Sequence, residues 1–178
     1  ISWAGNNFDT HANQTSTADP TIGAHAGLLG ELSTAVSAFM QDMKNRGFSE
    51  KVSGMTFSEF GRRVAENGSV GTDHGTAAPL FVFGSNVNGG IYGKDPNLTE
   101  LDDRGDLLME NDYRDVYASV LLQWFGVSST KAQDVLLRDF SSKALPLFKS
   151  PVSVQDESSS NVGFISVGPN PAVDHVVV

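Results

Sequence analysis

The sequence predicts an α/β domain with a mostly parallel sheet flanked by helices, and three observations carry that expectation. Apolar residues recur at spacings of three and four over residues 21–46 and again over 112–125, the stripes of amphipathic helices. Short, nearly continuous apolar runs at 52–57 and 78–83 have the pattern of strands covered on both faces. A first apolar run at 1–6, followed by the long helix and the run at 52–57, reads as a strand–helix–strand crossover.

Taken in order, residues 1–6 read as a short buried strand that runs into a polar loop over 7–20. The helix over 21–46 carries Ile22, Ala26, Leu29, Leu32, Val36, Phe39 and Met43 along one stripe, which is expected to face a core. Gly47 is placed to end it, with Lys44 and Arg46 in the last turn. Strands are expected at 52–57 and 78–83, and the Gly-, Asn- and Asp-rich stretches 67–77 and 84–108 read as loops, long for plain connectors. The helix over 112–125 buries Tyr113, Val116, Tyr117, Val120, Leu121 and Trp124, and Gly126 stops it. A shorter helix follows near 131–140. After Pro151 the composition turns to Gln, Asp, Glu, Ser and Asn, a linker, and residues 163–178 alternate in β-like runs broken by Gly-Pro-Asn-Pro. The division is therefore a main domain over 1–150 and a linker with a β-like tail over 151–178.

Composition narrows the function. The 178 residues suffice for one domain with a core. A net charge of −9 argues against a nucleic-acid binder, which needs a basic footprint. No apolar run reaches the roughly 18–20 residues of a membrane-spanning helix. Zero Cys removes disulfides, thiolate nucleophiles and cysteine-based zinc or iron–sulfur sites. The chain opens on Ile1 rather than Met and reads as a processed or excised piece.

Chemistry must then rest on His, Asp, Glu and Arg. Asp9 and His11 follow the first expected strand, Glu59 follows the second, and Asp73 and His74 lie in a Gly-rich loop. In an open parallel sheet ligands gather at the carboxyl ends of strands, which would bring these groups to one edge. Imidazoles with carboxylates suit zinc, manganese or iron, and carboxylate-rich sets suit magnesium or calcium. Arg62 and Arg63 beside Glu59 could clamp an oxyanion such as phosphate or sulfate. Each group also has an ordinary structural reading: Glu59 at a helix N-terminus, Asp73 as a turn cap, His74 as a surface imidazole, Arg62 and Arg63 on a solvated helix face. Spacing alone does not choose between them. His25, on a helix, reads as structural, and His175 as inert. The chain has no G-x-S-x-G elbow, and no P-loop or dinucleotide fingerprint follows a strand.

Three segments carry a resemblance. Phe8-Asp9-Thr10-His11-Ala12-Asn13-Gln14, Met55-Thr56-Phe57-Ser58-Glu59-Phe60-Gly61-Arg62-Arg63 and Gly71-Thr72-Asp73-His74-Gly75-Thr76-Ala77-Ala78-Pro79 occur in this order. Over residues 1–148 the chain resembles the C-terminal half of a mostly uncharacterised family of exported bacterial proteins, one assigned to the alkaline phosphatase and sulfatase-like superfamily. The resemblance implies a helix-flanked, mostly parallel sheet with a one- or two-metal site, and hydrolysis of phosphate or sulfate esters. It implies Asp9, His11, Glu59 and His74 as metal ligands, with zinc or manganese foremost and calcium or magnesium behind. Arg62, Arg63 and Asp73 would contact substrate. Glu59-Phe60 stands where the superfamily shows Asp-His, so one metal position loses an imidazole. The nucleophile would lie upstream of Ile1, which leaves no catalytic residue in this piece. Val167-Gly168-Pro169-Asn170-Pro171-Ala172 resembles the start of a type IX secretion sorting domain.

The function expected is that of a fragment of an exported metal-dependent hydrolase, secreted, periplasmic or on the cell surface. Its substrate would be a small-molecule or polysaccharide ester. A homodimer, or pairing with the missing half, would complete it, with no nucleic-acid partner and no membrane span. Two alternatives stand beside it: a non-catalytic binding relative of the same fold, and a metal-free serine esterase.

Overall fold

The long helix forms where the apolar repeat places it. Helix α1 spans Ala24–Asn45 in the structure, a computed structural model that describes residues 8–149 and residue 151. Gly47 ends it as expected: with φ +74° it lets Phe48 N–H donate to Met43 O at 2.8 Å and Gly47 N–H to Lys44 O at 3.1 Å. The expected buried stripe is not the face that packs. Leu28 is the buried residue of α1, whereas Ile22, Leu29 and Phe39 are exposed and Leu32, Val36 and Met43 only half-buried. The helix is tied down at its start, where Ala24 N–H and His25 N–H donate to the carbonyls of Asn13 and Gln14, and at its end, where it packs on the 3-10 turn Ser49–Lys51.

The expected parallel sheet is overturned. Among the described residues four short strands form: β1 (Ser53–Met55), β2 (Gly61–Glu66), β3 (Thr72–Gly75) and β4 (Val82–Gly84). They make two antiparallel pairs, β1 with β4 and β2 with β3. Connection length forces the antiparallel direction for β2 and β3 only, since residues 56–81 between β1 and β4 are long enough for either direction. Parallel neighbours need a crossover of about a dozen residues or more, whereas residues 67–71 between β2 and β3 allow only a hairpin. The runs expected at 52–57 and 78–83 do yield β1 and β4, though each is only three residues long. Arg62 and Arg63 therefore lie on a strand and not on a helix, and Asp73 and His74 on its partner and not in a loop. The strand expected over 1–6 and the tail expected over 152–178 lie outside the described residues.

Helix α2 (Tyr113–Ser119) starts on a capping box in which Asp112 and Asp115 each accept from the other's backbone. It runs into a π-helical segment, Val120–Trp124, and Gly126 follows at φ +64°. Helix α3 spans Ser129–Leu136, two to four residues ahead of its expected place, because Ser128 caps it by accepting from Lys131 N–H. The core forms where Val116 and Trp124 meet Leu147 and Phe148, with Met55, Leu80 and Val82 packed against them. The Trp124 and Phe148 rings are 5.3 Å apart. This core ties the β1–β4 pair to α2 and leaves the β2–β3 hairpin free to meet the loop that carries His11. Among the described residues, no helix is long and apolar enough to cross a membrane.

Candidate metal centre

The loop over residues 8–16 is laid against the turn of the β2–β3 hairpin by main-chain bonds. Asn13 N–H donates to Ser69 O at 3.0 Å and Gln14 N–H to Val70 O at 2.8 Å. Val70 takes φ +56°, a conformation a β-branched residue rarely adopts, and its carbonyl meets the loop from there. Gly71 makes the close approach sterically tolerable, since a Cβ there would lie 2.3 Å from His11 O. Asn67 completes the clamp by donating to His11 O at 2.8 Å.

This clamp brings three sequence-selected residues to one point. His74 Nε2 is 2.7 Å from Asp9 Oδ1, His11 Nε2 is 2.9 Å from the same oxygen, and the two Nε2 atoms are 3.1 Å apart. All three residues are exposed, so the point is open to solvent. The other nitrogen of His11, Nδ1, lies 3.4 Å from Asp73 Oδ1. Phe60 stacks on the face of His74, ring centroids 3.7 Å apart and planes within 7°.

The donor set fits a divalent ion. Ligands of a tetrahedral ion at about 2.0–2.2 Å lie about 3.3 Å from one another, so these three separations need to open by about 0.2–0.6 Å. The His11 tautomer points the same way. If His11 donates from Nδ1 to Asp73, its Nε2 turns a lone pair toward Asp9 Oδ1 and His74 Nε2. That lone pair and the Asp9 carboxylate, which also accepts from Arg62 at 2.9 Å, are electron-pair donors of the kind a divalent ion takes. Asp9 is held below the usual carboxylate range by its hydrogen bond to His74 first, then by Arg62 and the nearby imidazole charges. Asp73 is lowered by the amide of Asn67 first and His11 second.

The remaining expected residues fall elsewhere. Glu59 is exposed and outside the cluster. Arg62, opposite His74 in the hairpin, donates to Asp9 Oδ1 at 2.9 Å, Phe8 O at 2.8 Å and Thr72 O at 2.8 Å, so its guanidinium braces the Asp9 loop. Arg63 lies 3.3 Å from the buried carboxylate of Asp106 and anchors the segment around 101–107. His25 stands edge-on to Phe8, in keeping with a structural role. Neither an aromatic beside an acidic residue nor an Asn at a turn signals from the sequence that Phe60 stacks on His74 and Asn67 holds the His11 carbonyl.

Residues 1–136 match a family described as "Protein of unknown function (DUF1501)". The chain belongs to this family. The match takes in the whole clamp, from the Asp9 loop through the β2–β3 hairpin, and stops short of Phe140, Leu147 and Phe148. No curated protein and no solved structure matches the chain.

Proposed function

We propose that this DUF1501 chain holds one divalent cation, zinc or manganese, between Asp9, His11 and His74, and that the centre serves hydrolysis of phosphate or sulfate esters in an exported protein. The observation that carries the reading is the convergence of Asp9 Oδ1 and the two imidazole Nε2 atoms to within 3.1 Å of one another. The ester chemistry rests on the order of the three motifs, which resembles that of the alkaline phosphatase and sulfatase-like superfamily.

A bound ion would supply a Lewis acid for an ester oxygen. Asp9, His11 and His74 provide three ligands, and their exposure leaves the fourth direction open to substrate. Arg62 holds Asp9 in place, and Phe60 fixes the plane of His74. Arg62 contacts main-chain oxygens as well, which suits a brace better than a substrate clamp. Asp9, His11 and His74 would hold the ion, and the attacking oxygen would come from another group.

A second reading, a metal-holding but non-catalytic relative, is favoured by Phe60, which stands in the sequence where the superfamily shows a histidine and whose ring covers a face of His74. Titrating zinc and manganese into chelator-treated protein, then assaying aryl phosphate and aryl sulfate, tests both. One ion per chain with ester turnover supports the hydrolase. One ion without turnover, even in a protein that also carries the sequence upstream of Ile1 where the resemblance places the nucleophile, supports the binding relative, and no saturable binding overturns the centre itself.

A further inference from the structure

Asp73 stands next to His74 on β3, yet it meets the opposite edge of the neighbouring imidazole. Its Oδ1 lies 3.4 Å from His11 Nδ1, while His11 Nε2 faces Asp9 and His74. Asn67 Nδ2 spans the two residues, donating to Asp73 Oδ1 at 3.2 Å and to His11 O at 2.8 Å. The carboxylate, the amide and the main chain of His11 thus form one closed set of contacts.

We propose that Asp73 is a positioning residue that holds His11 with its proton on Nδ1 and its Nε2 lone pair turned into the Asp9–His74 cluster. This deepens the reading of the metal centre and rests on it. A histidine ligand that donates its second nitrogen to a carboxylate is fixed in tautomer and ring orientation, and its ligating nitrogen becomes more basic. Among the described residues, Asp73 Oδ1 is the acceptor beside His11 Nδ1. That carboxylate is itself held in place by Asn67 Nδ2, which donates to its Oδ1 at 3.2 Å. Asp73 therefore acts through His11 and has no part among the donor atoms that converge on the ion position.

The test is calorimetric zinc titration of the parent, D73A and D73N, with ¹⁵N spectra of the His11 ring in the zinc-free proteins. Asp73 has a side chain 56% exposed, so D73A should keep the parental far-UV spectrum; D73N, of the same size, keeps the comparison readable if it does not. The expected result is a zinc affinity about 10–100-fold weaker in D73A. D73N should fall between D73A and the parent, because an amide oxygen still accepts from Nδ1 but without charge. The ring should carry its proton on Nδ1 in the parent and shift toward the Nε2–H form in D73A, a change that general loosening of the hairpin would not produce. Parent-like zinc affinity in both variants overturns this role and leaves the metal centre standing. A parent that binds no zinc overturns both, and the first titration shows it.

Discussion

The Nε2 atoms of His11 and His74 face each other across 3.1 Å, although the residues are 63 positions apart in the chain. Two neutral imidazoles placed this way share a single proton at best, and Asp9 Oδ1, within 2.9 Å of both, competes for it. The pairing is held by backbone rather than by its own chemistry, since the loop of His11 and the strand of His74 are joined through Asn13–Ser69 and Gln14–Val70 main-chain bonds. A site preorganised by its scaffold in this way responds to substitution in separable ways.

His74→Ala removes one of three donors from an exposed position. Zinc affinity should fall by at least about 100-fold, while stability changes by no more than about 1 kcal/mol, as for most surface substitutions. Calorimetry and a thermal melt on the same sample check it. Loss of cooperative unfolding in the variant would show that His74 is structural.

Arg62→Lys should weaken zinc binding and loosen residues 8–11 together. A lysine ammonium has no planar fork and cannot reach the Asp9 carboxylate and the carbonyls of Phe8 and Thr72 at once. With the Arg62 side chain 18% exposed, the lost bonds should cost on the order of 1–3 kcal/mol. Amide hydrogen exchange at residues 8–14 should rise in the variant, and unchanged exchange there would rule out the brace.

Gly71→Ala probes the clamp without touching a ligand. Its new methyl group would collide with the His11 carbonyl, so the loop must move away from the hairpin. Zinc affinity should drop while the Trp124 environment, in the separate core, stays as in the parent. Fluorescence and zinc titration on one preparation distinguish this local effect from general unfolding.

Stability should fall on acidification through Asp112. Its carboxylate accepts from Arg114 Nε at 2.8 Å, and this contact, with the Arg114 backbone and charge, lowers it from 3.8 to about 2. The folded value lies below the unfolded one, so the contribution is complete above about pH 4 and is lost as pH falls toward about 2. With the Asp112 side chain 17% exposed, it amounts to roughly 1–2 kcal/mol. Asp112→Ala should lower the denaturation midpoint at pH 6 and have little effect at pH 2. An equal loss at both pH values would trace the effect to something other than this carboxylate.

Leu147→Ala and Leu32→Ala separate the real core from the expected one. Leu147 is 4% exposed among Val116, Trp124 and Phe148, so truncation should cost about 2–5 kcal/mol. Leu32, half-buried on α1, leaves no closed cavity and should cost clearly less. Chemical denaturation of both variants ranks them, and the reverse order would place the core on α1.

Residue identity and local spacing were enough for the helices and for choosing three residues, Asp9, His11 and His74, that the structure brings together. The three- and four-residue repeats mark the helical stretches, and Gly47 and Gly126 mark two ends, because these signals depend on one or two turns of chain. Asp9, His11 and His74 were selected by residue type, and the structure joins them. Glu59 was selected the same way and remains apart.

What the sequence by itself determined, then, is where the helices lie and which side chains carry carboxylate and imidazole donors, since backbone propensity and donor chemistry are local properties. Tertiary structure alone decided that the strands pair antiparallel, that the stripe of α1 lies outside the Val116–Trp124 core, and that Phe60, Asn67 and Asp73 brace the two histidines. The reason is physical. An apolar run of three to six residues looks the same whichever neighbour it pairs with, and a bracing contact becomes visible only once a short hairpin has carried residues 60–74 against the loop that holds His11.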